Sequence, residues 1–436
     1  MTSAQQSQGQ EHAQGRFAGR RILALGTFDS FVKTAAAIGR RFEDEGASLR
    51  IAAVSTASGQ LSPRQLRAGG VSESIPIVST EQIVASRLFR DAHVAIAVVD
   101  GGRARELFLA LASADFSRER SRPIVIIASP GVVLADHLAG FMSRAPADLL
   151  CFNTERDLAL YRAAAAEIGV DDTNGLVTGL LGLPTAPRAA PAGAPLVTFF
   201  EQPIIPARRM QRLHILGELT TLARRHPEAQ VLIKLRHARD ETAHHGARFH
   251  LEDLAREAFA RGGRPKNLNF THEPASELLD RTSLAVSVSS TVAVEAMARG
   301  VPTRIVSDFG VSEALGTSFF VGSGCLAPLA SLAPDLPAVV DASWLAAHSG
   351  ATPDVEGLLT RCLALIEGQD RLEAPLPLRP LVPAYGSADW LSFALGKGGA
   401  IAVHAPHLIE RSRRGAGVVA AVARRLRQVK PFAPRG

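Results

Sequence analysis

Short apolar runs recur along the chain and alternate with Ala-, Leu-, Arg- and Glu-rich stretches. Residues 20–28 (RRILALGTF), 49–54, 94–99, 124–128 and 148–152 are near-continuous apolar runs of strand length. That pattern predicts strands covered on both faces, as in an open parallel sheet, rather than strands with one wet face. Helices are predicted between them: from Asp29 to about Glu45, ending at Gly46; over 103–112; and over 155–169 behind Asn153 and Thr154. Pro184 to Pro195 holds four prolines among Ala, Thr, Gly and Arg, the composition of a linker. The alternation then resumes, with strands at 196–200, 230–235, 267–270, 284–288 and 303–306 and helices at 206–226 and 274–280. The expected architecture is α/β: two Rossmann-like doubly wound domains facing a cleft. Their boundaries are placed at 19–185 and 196–385, with the linker at 186–195. A disordered polar start at 1–18 precedes them, and C-terminal helices with a basic tail follow at 386–436.

The second half is organised around the stretch 284–302. An apolar run breaks into Ser289, Ser290 and Thr291, and an Ala-rich stretch then ends at Gly300 with Pro302 just beyond. This reads as strand, hydroxyl turn, helix. Such a turn points free backbone N–H groups and the positive end of a helix dipole at one spot, where a phosphate would be held. A capping box would need its acid at position 294, which is Val, so Glu295 is free to accept a hydrogen bond from a sugar hydroxyl. A plain N-capped helix with a solvated Glu is the alternative. Other polar groups stand at successive strand ends: Gln202; Lys234, Arg236 and His237; Thr271 and Glu273; and Asp308. Strand C-termini share one edge of a parallel sheet, so the fold gathers them. In the first half, Asp29 follows the first strand and Asp100-Gly101-Gly102 the third, with Asp136 and His137 after another. An Asp in such a place is a helix cap or a ligand group.

Composition narrows this. The chain has 436 residues, enough for two or three α/β domains. Its three cysteines, Cys151, Cys325 and Cys362, lie far apart with no CxxC, against a disulfide framework. The polar N-terminus lacks the apolar core of a signal peptide, and no run reaches membrane-spanning length, so a cytoplasmic location is expected. The formal net charge of +6 is concentrated in the tail, where residues 405–436 carry eight Lys/Arg against Glu410 and the remainder is close to neutral. A nucleic-acid-binding body is therefore not expected. Within the tail, Val419, Val422, Leu426 and Val429 form a stripe flanked by Arg425 and Arg427 with Arg424 opposite. It suits either a helix lying on an anionic membrane surface or one docked on the body. His237, His244, His245 and His250 match no zinc spacing, and neither a P-loop nor GxGxxG occurs.

With these motifs in place, the second half resembles the nucleotide-binding domain of GT-B glycosyltransferases. The likeness is strongest to bacterial capsule enzymes that transfer sialic acid or Kdo, and extends to an actinobacterial branch of that class. Lys234-Leu235-Arg236-His237 looks like the His-Pro motif of that family, with Ala238 in place of the proline, and Ser289-Ser290-Thr291 looks like its Ser-Ser motif. Glu201-Gln202-Pro203 and the segment from Glu295 to Pro302 are similar to further family elements. The resemblance implies an inverting transfer, without metal, from a nucleotide-sugar donor, a CMP-sugar being the expectation, to a cell-envelope glycan or lipid-linked glycan. Ser289, Ser290, Lys234 and His237 would neutralise the leaving phosphate. A base from the opposite domain would deprotonate the acceptor. Asp100 is favoured for it because the family's acid precedes a glycine, with Asp29 next and His137 third. A sugar-nucleotide epimerase of similar fold, or a non-catalytic envelope-assembly protein, would share much of this pattern.

Overall fold

The computed structural model describes residues 15–55, 61, 66, 71, 75–116, 121–129, 131, 138–180, 193–236, 249–260, 262–349, 354–372 and 375–381. The expected tail helix, the linker up to residue 192, His137 and His237 lie outside them. Among the described residues no helix is long and apolar enough to cross a membrane.

The first domain is a seven-stranded parallel sheet of order β3-β2-β1-β4-β5-β6-β7. Its strands are β1 (Arg21–Gly26), β2 (Ser48–Val54), β3 (Ile77–Val78), β4 (Val94–Val98), β5 (Ile124–Ala128), β6 (Leu149–Phe152) and β7 (Gly175–Val177). Every residue of β4, β5 and β6 is buried, as their unbroken apolar sequences require of strands covered on both faces. On one face lie α4 (Gly101–Ser113), α5 (Leu138–Arg144) and α6 (Glu155–Ile168), packed through Leu107, Phe108, Phe141 and Tyr161. The short helices α2 (Thr80–Ala85) and α3 (Arg87–Arg90) join that layer through Ile83 and Phe89. The other face is covered by α1 (Asp29–Glu43) through Ala35, Ile38 and Phe42.

The second domain is a six-stranded parallel sheet of order β10-β9-β8-β11-β12-β13. It comprises β8 (Leu196–Phe200), β9 (Gln230–Lys234), β10 (Leu268–Thr271), β11 (Leu284–Ser287), β12 (Thr303–Val306) and β13 (Leu326–Ala327). Helices α7 (Arg209–Arg225) and α8 (Leu251–Phe259) close one face, through Ile215, Leu219, Leu222 and Leu254. The other face takes α9 (Ala275–Leu279), α10 (Thr291–Ala298) and α11 (Ala342–Ser349). In each sheet the strand order reverses once, between β1 and β4 and between β8 and β11. Those two switch points are where open α/β sheets bind ligands.

The chain then returns to the first domain. Helix α12 (Val355–Asp370) buries Leu358, Leu359, Cys362 and Ile366 against Ile22, Val94, Ile124 and Cys151. Beyond it, the buried Arg122 donates from Nε to Leu376 O at 3.0 Å and from Nη2 to Pro377 O at 2.8 Å, while its two Nη atoms grip Asp148 at 2.6 and 2.8 Å. The range 196–385 read from sequence as the second domain thus includes a helix whose apolar stripe completes the first core. An amphipathic stripe announces that it must be covered, not by which sheet.

Candidate functional site

The register of the second sheet sets its C-terminal edge. Thr271 pairs with Lys234, Lys234 with Phe200, Phe200 with Ser287, and Ser287 with Ile305. Gln202 and Ser289 each stand two residues past paired positions, and they meet. The Gln202 carboxamide oxygen accepts from the Ser289 N–H at 2.9 Å, and its nitrogen donates to Ser289 Oγ at 3.3 Å. Ser287 Oγ donates to Phe200 O at 3.0 Å. These bonds stitch β11 to β8 at the switch point and leave Ser289 with no exposed surface. Ser290, half-buried, is the N-cap of α10, its Oγ accepting from the Val292 N–H at 3.3 Å. Thr291 is the first helical residue and is also half-buried. The three hydroxyls are therefore not equivalent: Ser289 secures the turn, and Ser290 and Thr291 present it.

Glu295, one turn further on, is engaged along its own helix, its Oε1 accepting from Arg299 Nη2 at 2.7 Å; Arg299 Nη1 also donates to Asp280 at 2.8 Å. Glu273, just past β10, is tied to Thr271 Oγ1 at 3.1 Å and ion-paired with Arg281. Asp308, past β12, accepts from the Leu329 N–H at 2.9 Å and lies 2.7 Å from His214 Nε2, which anchors its loop to α7. Half-buried Lys234 donates from Nζ to Leu235 O at 2.7 Å.

Beneath this edge lies a buried ion pair that the sequence reading missed. Arg212 on α7, 2 % exposed, donates from Nη1 to Glu201 at 2.9 Å and from Nε to Pro206 O at 3.0 Å. Its Nη2 reaches Gln202 O at 2.6 Å, and also Pro203 O. Glu201 in turn accepts from the Arg236 N–H at 3.3 Å. One guanidinium thus fixes the β8–α7 loop, the backbone that carries Gln202, and through Glu201 the end of β9. A charged residue on an amphipathic helix looks solvated in sequence. The signal that could have found it is Glu201, an acid directly after a strand, Leu196–Phe200, that is apolar but for Thr198.

In the first domain Gly26 pairs with Val98 across the switch point, so Asp29 and Asp100 start neighbouring turns. A Cβ on Gly26 would stand 2.4 Å from Val32 N, so glycine is what allows α1 to begin this close to β1. Asp29 is the first residue of α1, and its side chain lies outside the described residues. Half-buried Asp100 caps α4, its Oδ1 accepting from the Arg103 N–H at 3.1 Å. Arg144, bonded to Val99 O at 2.9 Å, lies close enough for Asp100 to oppose the downward push of burial on the guanidinium.

The domains meet across the cleft. Arg236 Nη2 lies 3.4 Å from Ser30 Oγ, one residue past Asp29. A Cβ on Gly131, just beyond β5, would lie 2.8 Å from Thr291 Oγ1. Further along, Arg156 sits over the Phe319 ring at 5.5 Å, and Leu180 packs against the Phe319–Trp344 cluster. The structure brings Asp100 and the start of α1 to one wall, and Gln202, Lys234, Arg236 and the hydroxyl turn to the other. No group of His, Cys, Asp and Glu able to hold a metal occurs among the described residues.

Two facing Rossmann-like domains, linked at the middle and closed by a returning C-terminal helix, make this a GT-B fold. The chain belongs to the family described as "Putative glycosyltransferase (DUF6716)", whose sequence model matches residues 22–362, so its class is that of a glycosyl-transferring enzyme. No curated protein matches the chain. Among solved structures it is similar to the "putative UDP-N-acetylglucosamine 2-epimerase from Listeria monocytogenes", at 12% identity and a TM-score of 0.54 over 83% of this chain and all of that one. It is also similar to the UDP-GlcNAc 2-epimerase of Neisseria meningitidis bound to UDP-GlcNAc, at 9% identity and a TM-score of 0.50 over 79% of this chain and all of that one. At these identities the likeness is one of fold.

Proposed function

We propose that the chain transfers a sugar from a nucleotide donor, held on the second domain, to a cell-envelope glycan acceptor bound on the first. The observation that carries this reading is the hydroxyl turn at the second switch point. Ser290 caps a helix there, Thr291 begins it and Gln202, just past the neighbouring β8, braces it, while Lys234 ends β9 on the far side of β8, with Arg236 two residues beyond. A helix N-terminus with nearby cations offsets the charge that develops on a leaving phosphate. Asp100 and Asp29 stand on the opposite wall, where a base for the acceptor hydroxyl belongs. The donor class proposed is a CMP-linked nonulosonic or Kdo-like acid, on the motif order Lys234-Leu235-Arg236-His237 followed by Ser289-Ser290.

Calorimetry of the full chain with CMP, UMP, UDP and GDP tests both levels. CMP should bind most tightly; tighter binding of UDP or GDP overturns the CMP donor and keeps the transferase reading. Ser290→Ala should lose about 1.5–3 kcal/mol of nucleotide affinity, the worth of a hydrogen bond to a charged group. Unchanged affinity in a folded Ser290→Ala protein would remove the phosphate from this turn. An isomerised donor appearing without any acceptor would assign the epimerase reaction instead.

A further inference from the structure

We infer that Gly131 and Thr291 form the steric stop at which the two domains close over the hydroxyl turn, and that Gly131 is the positioning residue that lets the first domain supply the second wall of the phosphate site. The inference rests on the reading of that turn as the phosphate site. Gly131 follows β5 on the first domain, and Thr291 opens α10 on the second. Built onto Gly131, a Cβ would stand 2.8 Å from Thr291 Oγ1, 3.3 Å from its Cγ2 and 3.5 Å from its Cβ. The first of these separations is one that real side chains do not adopt. Its cause is contact with another domain, because the Gly131 backbone is not in the left-handed region that would itself demand glycine. The obstructing atoms belong to a β-branched residue in the first turn of a helix, which has few rotamers to retreat into.

A second crossing fixes the same approach from the other side, with Arg236 Nη2 at 3.4 Å from Ser30 Oγ. Between the two crossings lie the ends of β1 and β4, with Asp29 and Asp100, and the ends of β8 and β11, with Gln202 and Ser290. Holding the walls apart at residue 131 separates a donor on one domain from a base on the other. Sub-ångström displacement of reacting groups is costly, since effective molarity depends on near-attack geometry. A side chain at position 131 therefore acts through domain position, with the fold of each domain left alone.

The test is a double-mutant cycle on the full chain with Gly131→Ala, Thr291→Ala and the pair, plus Gly131→Val as a larger wedge. Two readouts are used: the radius of gyration from small-angle X-ray scattering without nucleotide, and the affinity for the nucleotide that wild type binds best. Gly131→Ala should expand the protein and weaken the nucleotide at least about fivefold, and Gly131→Val should do more of both. In the Thr291→Ala background the cost of Gly131→Ala should shrink to within about twofold, because only the 3.5 Å contact remains, while Gly131→Val should still expand the protein. Equal effects of Gly131→Ala in both backgrounds, or an unchanged radius in Gly131→Val, would overturn the stop. If wild type binds no nucleotide, the phosphate reading falls, and the scattering series still decides the steric contact by itself.

Discussion

Arg212→Ala is expected to destabilise the second domain by about 3–5 kcal/mol, the usual cost of breaking a buried ion pair from one side. The pair is worth little against a well-packed apolar substitute, but its two halves cannot be separated cheaply. Removing the guanidinium leaves Glu201, 8 % exposed, as a carboxylate without its counter-charge in a loop under the sheet edge. It also strips the carbonyls of Gln202, Pro203 and Pro206 of their donor. Leaving a buried acceptor unsatisfied costs about 1–3 kcal/mol, so loop rearrangement is part of the expected result. Urea unfolding followed by circular dichroism measures the loss. The pair Arg212→Met with Glu201→Gln should recover part of it, since no net charge is then buried. A loss below about 1 kcal/mol in Arg212→Ala would show that water reaches Glu201 and that the loop does not depend on the pair. Nucleotide affinity should fall with stability in the single variant, because Gln202, which braces Ser289, rides on the same loop.

Much of this fold was legible in the sequence because parallel strands covered on both faces leave continuous apolar runs. The runs at 94–99, 124–128 and 196–200 coincide with β4, β5 and β8 to within a residue. The strands that escaped notice, β3, β7 and β13, hold only two or three residues each, too few to show any periodicity. The gathering of polar groups at strand ends also followed from the pattern, since the parallel register aligns Thr271, Lys234, Phe200 and Ser287. The division of labour among Ser289, Ser290 and Thr291 did not. It depends on which hydroxyl falls opposite Gln202, a contact between residues 87 positions apart. The return of α12 to the first core was equally hidden, because its partners Ile22, Val94 and Ile124 lie hundreds of residues upstream.

Asp100→Asn should cut turnover by roughly 10²–10⁴-fold if Asp100 deprotonates the acceptor. Asparagine suits this test because it is as good an N-cap as aspartate, so the bond from the Arg103 N–H to position 100 survives. What is lost is the negative charge and the ability to accept a proton. Donor affinity should hardly move, because the donor groups belong to the other domain. Half-buried Arg144 loses a favourable neighbour but keeps its bonds to Val99 O and Gly140 O, so a modest drop in thermal stability is expected and can be measured separately. The matching variant at the start of α1, Asp29→Asn, tests the other candidate, which opens the helix after β1 as Asp100 caps the one after the neighbouring β4. A severe loss at Asp100 with a mild one at Asp29 assigns the base, and the reverse moves it across the switch point. Near-normal turnover in both variants, with wild-type donor affinity, would take carboxylate base catalysis out of this domain.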